Sequence, residues 1–188
     1  SVAAMPSVGM PGAAAGPARP SMSAGRVGVA LDNAQLSVVP GNSVSANVLL
    51  LNQGAVVDHY RVTVDGVPAE WVTLPPVVQL MPGQQQQTTL MIHPPRAPQS
   101  RAGRYPVTIR VLSEDSPTQQ TEARCTLTVA PFSQFSSEIY PQKLNAGKVT
   151  QVTVHNQGNS PETFAISGKD RADELLFEPA QLQIPVQS

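Results

Sequence analysis

Charge, cysteine and aromatic rings are all scarce in this chain. Charged residues make up 13% of the 188 and the net charge is −1. An ordinary globular chain carries about twice that charged share. So little charge leaves no electrostatic footprint for nucleic acid or an anionic membrane. Like charges form no runs either. The single cysteine, Cys125, excludes an intrachain disulfide and is neutral on compartment. No apolar run approaches the ~20 residues that span a bilayer. Ser1 opens neither a basic n-region nor an apolar h-region, so no signal peptide is expected among these residues. Asn159-Ser160-Pro161 lacks the hydroxyl at the third position, so no N-glycosylation acceptor is expected.

Catalytic patterns are missing as well. There is no Gly-X-Ser-X-Gly elbow. His-Glu-X-X-His, Cys-X-X-Cys pairs and Gly-rich phosphate loops do not occur. No Asp-rich calcium loop of EF-hand type occurs. The expectation is a non-enzyme with no catalytic, cofactor-binding or metal-ligating residues and no cofactor.

What the chain has is punctuation: 19 prolines and 13 glycines. Residues 1–26 read as a flexible linker of Ala, Gly, Pro, Ser and Met, without a period and unable to bury enough surface to offset its ordering entropy. Pro6, Pro11, Pro17 and Pro20 stiffen it locally toward polyproline II. Met5, Met10 and Met22 could give adaptable contacts if the segment orders on a partner.

From about Val27 the pattern has period two. Leu36 and Val38 share a face, as do Ala46, Val48 and Leu50. Tyr60, Val62 and Val64 do the same, then Thr88, Leu90 and Ile92. Tyr105, Val107, Ile109 and Val111 alternate with outward neighbours, and so do Ala123, Cys125, Leu127 and Val129. Pro40-Gly41, Asp65-Gly66 and Pro82-Gly83 supply turns. About seven short strands over 27–130 predict an all-β fold, an immunoglobulin-like β-sandwich. Trp71 is expected to plug its core.

The chain then repeats itself. Leu51-Asn52-Gln53-Gly54 returns as His155-Asn156-Gln157-Gly158, 104 positions later. Tyr60 then matches Phe164, Val62 matches Ile166, and Leu80 matches Ile184. Residues 131–188 are therefore expected to be the N-terminal half of a second sandwich. The counterparts of Gln85–Val129 would fall at 189–233. The expectation is that the natural protein continues past Ser188. The alternative is that strands of a neighbouring subunit complete the domain, giving self-association.

Remaining candidates read as structural. His59, His93 and His155 are scattered and expected at the surface. Cys125 is expected to be an inert core thiol. Arg96, Arg101 and Arg104 are expected to keep a proline-rich loop solvated, and Gln84 to Gln87 to start a strand. Asn52 and Asn156 are expected to shape turns, with Gly54 and Gly158 supplying conformational freedom.

These residues carry a family likeness. The order is Pro40-Gly41, Asn52-Gln53-Gly54, Tyr60-Arg61-Val62-Thr63-Val64, Trp71, then Val78-Gln79-Leu80-Met81-Pro82-Gly83. Pro94-Pro95-Arg96-Ala97-Pro98 and Ala102-Gly103-Arg104-Tyr105 follow. It resembles the bacterial Ig-like repeats of the alpha-galactosidase-associated (NPCBM-associated) type. These occur in long multi-domain proteins sometimes labelled "hydrolytic protein". The likeness covers the first copy and half of the second. The second copy departs from it, with Leu175 in place of Trp71 and Pro185-Val186 in place of Pro82-Gly83.

The resemblance implies a spacer, scaffold or adhesive module, outside the cell or in the cell envelope, with other protein domains or subunits as partners. Two alternatives stand beside it. One is a cytoplasmic subunit of a large assembly, such as a filament or a phage-tail-like contractile injection system. The other is an accessory carbohydrate-binding module, which would need a row of exposed aromatics.

Overall fold

A computed structural model describes residues 26–143, 145, 147–167 and 180–186. Nine strands build the first copy. They are β1 (Val27–Leu31), β2 (Gln35–Val38), β3 (Val44–Asn52), β4 (Asp58–Asp65) and β5 (Val72–Thr73), then β6 (Val78–Leu80), β7 (Gln85–Ile92), β8 (Gly103–Ser113) and β9 (Gln120–Val129). One sheet has the order β1-β3-β7-β5 and the other β2-β9-β8-β4-β6. Neighbours are antiparallel except β2 and β9, which run parallel.

The chain is an all-β, immunoglobulin-like sandwich because its apolar residues recur every second position. Each strand then buries one face and wets the other. Val48, Leu50, Tyr60, Leu80, Leu90, Ile92, Ile109 and Leu127 are all fully enclosed between the sheets. Trp71, on a 3-10 turn (Ala69–Trp71), is buried and meets Tyr105 edge to face, with centroids 5.8 Å apart. Cys125 is buried on the inner face of β9, and burial raises its thiol pKa, which keeps it protonated.

The strand count exceeds the seven expected, in part because the first strand changes sheets. β1 lies on β3, the chain shifts over Asp32–Ala34, and β2 joins the opposite sheet. Asp32 anchors that shift: its carboxylate accepts from the side-chain N–H of Asn47 at 2.7 Å and from the Asn47 backbone N–H at 3.3 Å.

The second copy contributes β10 (Phe135–Tyr140), β11 (Gln151–Asn156), β12 (Glu162–Ala165) and β13 (Gln181–Ile184). Its registers repeat those of the first. Asp58 faces Leu80 and Tyr60 faces Val78 on β4 and β6; Glu162 faces Ile184 and Phe164 faces Leu182 on β12 and β13. Likewise Val27 faces Asn52, and Phe135 faces Asn156. Among the described residues, no strand stands on β11 where β7 stands on β3, or on β12 where β8 stands on β4. The inner face is correspondingly uncovered. Val27 and Leu31 are 1% and 5% exposed, while their counterparts Phe135 and Ile139 are 56% and 51% exposed. The expected counterpart of Trp71, Leu175 to Phe177, lies outside the described residues.

Candidate functional site

The recurring asparagine joins the two sheets in both copies. Asn52 ends β3 in one sheet, and its side-chain NH2 donates to the carbonyl of Leu80 on β6 of the other sheet at 2.9 Å. The same group donates to the Val56 carbonyl at 2.8 Å, and its Oδ1 accepts from the Gly54 N–H at 2.8 Å. Asn156 repeats all three bonds: to Ile184 at 3.1 Å, to Ser160 at 2.9 Å and from Gly158 at 2.9 Å. Both residues are 0% exposed. The asparagine's expected local bond is therefore present, and the cross-sheet bond extends it. Gly54 and Gly158, however, do not take the positive φ expected of them. Their lack of a Cβ serves close approach instead: a Cβ would lie 3.1 Å from Asn52 Oδ1 at Gly54 and 2.6 Å from the Phe132 carbonyl oxygen at Gly158. An amide suits the place because it offers two donors and an acceptor at once.

A second asparagine, Asn159, holds the two copies together. It follows the repeated turn, and it is 1% exposed. Its Oδ1 accepts from the Phe132 N–H at 2.7 Å. Its NH2 donates to the Ala130 carbonyl at 3.0 Å and to the Ser100 carbonyl at 2.7 Å. Its backbone adds a bond from the Ala102 N–H to its carbonyl (3.0 Å) and one from its own N–H to the Phe132 carbonyl (3.3 Å). One residue thus ties the β7–β8 loop of the first copy, the connector after β9 and the turn of the second copy. The connector also contains Pro131, which limits its backbone freedom.

Apolar packing closes the same joint. Phe132 is buried, and the Arg96 guanidinium lies 4.5 Å over its ring centroid. The proline-rich loop is therefore not simply solvated by its arginines, as the sequence suggested. Pro94 and Ser100 are buried, and Arg96 serves as a lid on the connector. Gly158 is needed for contact: a Cβ there would sit 2.6 Å from the Phe132 carbonyl oxygen. Nothing in the composition marked Asn159, Ser100 or Phe132. The available signal was a break in the repeat, since the first copy has Ala55 where the second has Asn159.

The other candidates do not converge. His59 pairs with Asp115 through Nδ1 at 3.1 Å, and that hydrogen bond holds the Asp115 carboxyl below its usual pKa. Ser113 lies close by, but its hydroxyl donates to the Asp58 carboxylate, at 2.8 Å from both oxygens, and is 2% exposed. Both groups are buried, so this hydroxyl is not open to a substrate. Tyr60 stands beside this pair; burial first, then the Asp58 charge, pushes its pKa up to about 12. His93 bonds Ser43 and the Asn42 carbonyl, both at 3.1 Å, at a strand end. His155 is half-buried on β11. Among the described residues no three His, Cys, Asp or Glu side chains gather closely enough to hold a metal. The exposed aromatics Phe135 and Tyr140 are five positions apart on β10, so they point to opposite faces and form no stacking platform.

No family model matches the chain, and no curated protein matches it. Solved structures do resemble it. The PapD-like domain 7 of human CEP192 is 14% identical, with a TM-score of 0.37 over 64% of this chain and 96% of that one. Native alpha-2-macroglobulin from Escherichia coli, from domain MG7 to the C-terminus, is 12% identical, with a TM-score of 0.41 over 76% of this chain and 20% of that one. The cupredoxin domain of amoB from Nitrosocaldus yellowstonii is 7% identical, with a TM-score of 0.40 over 55% of this chain and 86% of that one. Among the described residues no helix is long and apolar enough to cross a membrane.

Proposed function

We propose that this chain is a non-enzymatic spacer or scaffold module, whose tandem copies are held at a set angle to position other parts of a larger protein. The observation that carries this reading is the Asn159 joint. Five hydrogen bonds and a covered Phe132 are more than a tether needs. Buried bonds contribute about 1 kcal/mol each when satisfied, and more is lost when a partner is removed. Membership of the alpha-galactosidase-associated repeats, and a bacterial cell-envelope setting, belong to the same proposal. They rest on the turn and core motifs from Pro40-Gly41 to Tyr105.

NMR relaxation of backbone amides in the full chain tests it. The expected result is one rotational correlation time for β8–β9 and β11–β12. In Asn159→Ala, the β11–β12 value should fall while β8–β9 keeps its fold. Independent tumbling in the unaltered chain would refute the reading.

The uncovered inner face of the second copy favours a second reading, a subunit that self-associates. Phe135, Ile139 and Leu182 are each 46% exposed or more, beside strand edges that carry no neighbour among the described residues. Sedimentation should then show concentration-dependent mass that Ile139→Lys abolishes. A concentration-independent monomer rules it out.

A further inference from the structure

We infer that the first copy is built to bear tension along the line from its N-terminal strands to the joint. This rests on the spacer reading and adds a direction of strength to it. β2 and β9 run parallel, with Gln35 beside Thr126 and Val38 beside Val129. Backbone bonds tie both ends of the pair: Thr126 N–H to the Ala34 carbonyl and Ala130 N–H to the Val38 carbonyl, each 2.9 Å. The chain enters this sheet at the N-terminal end of β2 and leaves the sandwich at the C-terminal end of β9.

In a parallel pair those are opposite ends. Tension between them slides one strand along the other and loads all the cross-strand bonds together. Tension applied to the two strands at one shared end would instead open the bonds in succession. Sliding also has to drag Leu36 and Val38, 5% and 4% exposed, through a packed core.

The joint delivers load to the right place. Ala130 closes the β2–β9 pair through its N–H, and its carbonyl accepts from Asn159. Ser100 and Ala102, the other first-copy partners of Asn159, lead into β8. β8 pairs with β9 from Gly103–Val129 to Leu112–Gln120. Load arriving from the second copy is therefore spread over two central strands, and the edge strand β2 is the element held in shear.

Single-molecule pulling of the full chain tests this by changing only the attachment points. One geometry holds Ser1 and Ser188. The other holds Ser188 and Asn42, an exposed turn residue just past the C-terminal end of β2, the same end from which β9 leaves. Thermal melts of the two handle-bearing proteins should coincide. First-copy unfolding is recognised end to end by a length gain of about 35 nm, from ~3.4 Å per released residue. Its force should be at least about twofold higher end to end than from Asn42, because forced unfolding follows the barrier along the pulled path. A ratio of one or below overturns the inference. That failure would leave a rigid joint untouched, whereas independent tumbling of the copies would sink the spacer reading whatever the force ratio.

Discussion

Asn52→Asp should lose more stability than Asn52→Ala, although aspartate is the closer match in shape. In the alanine variant the Leu80 and Val56 carbonyls and the Gly54 N–H all lose their partner. At about 1 kcal/mol or more for each orphaned group, the loss is about 3 kcal/mol. In the aspartate variant only the Gly54 N–H keeps a partner. A carboxylate then faces two carbonyl oxygens at a position that is 0% exposed, and it has no donor to offer them. The folded state would raise that carboxyl above its ordinary pKa of about 3.9. A raised acid favours the fold only while protonated, so the deficit against the parent chain should be smallest below the ordinary value and grow as pH rises from there through the raised one. Urea denaturation of both variants and the parent, at acid and neutral pH, reads this directly. An aspartate variant as stable as the alanine variant at neutral pH would contradict the cross-sheet role.

Gly66→Ala should cost about 3–5 kcal/mol, in the range of severe steric defects. Gly66 closes the turn after β4 at φ +98, and a Cβ there would lie 2.0 Å from the Pro106 carbonyl oxygen. The conformation and the contact are separable because Gly83 provides a control. It has φ +73, but nothing lies within 4 Å of its Cβ position. Gly83→Ala should therefore show only left-handed strain, about 1–2 kcal/mol. Denaturation midpoints for the two variants should differ in that order. Equal midpoints would mean that the backbone around Pro106 relaxes.

The strands were legible because they are half-buried, and burial of one face writes a period of two into the sequence. The repeat was legible for the same reason, and its offset predicts which residues face each other across β12 and β13. The sheet switch between β1 and β2 was not. Asp32-Asn33-Ala34 does not reverse the chain; the buried face moves from Val27, Val29 and Leu31 to Leu36 and Val38 across four exposed residues, which reads like any short loop between strands. Asn52 showed its turn but not its reach to Leu80, a contact 28 residues away that depends on how the sheets stack. The joint was the least visible feature. Its bonds run mostly to backbone groups of Ser100, Ala102, Ala130 and Phe132, which any side chain could have carried. Only the change from Ala55 to Asn159 between copies left a trace of it.

If Asn159 makes the two copies one rigid unit, a distance measured across the joint has a single value. Nitroxide labels on Ser45 of β3 and Glu138 of β10, both exposed, span the joint, while the buried Cys125 is shielded from labelling. Double electron–electron resonance should give one narrow distance peak in the parent chain and a broad distribution in Asn159→Ala. A distribution in the parent as broad as in the variant would mean that the joint is not rigid.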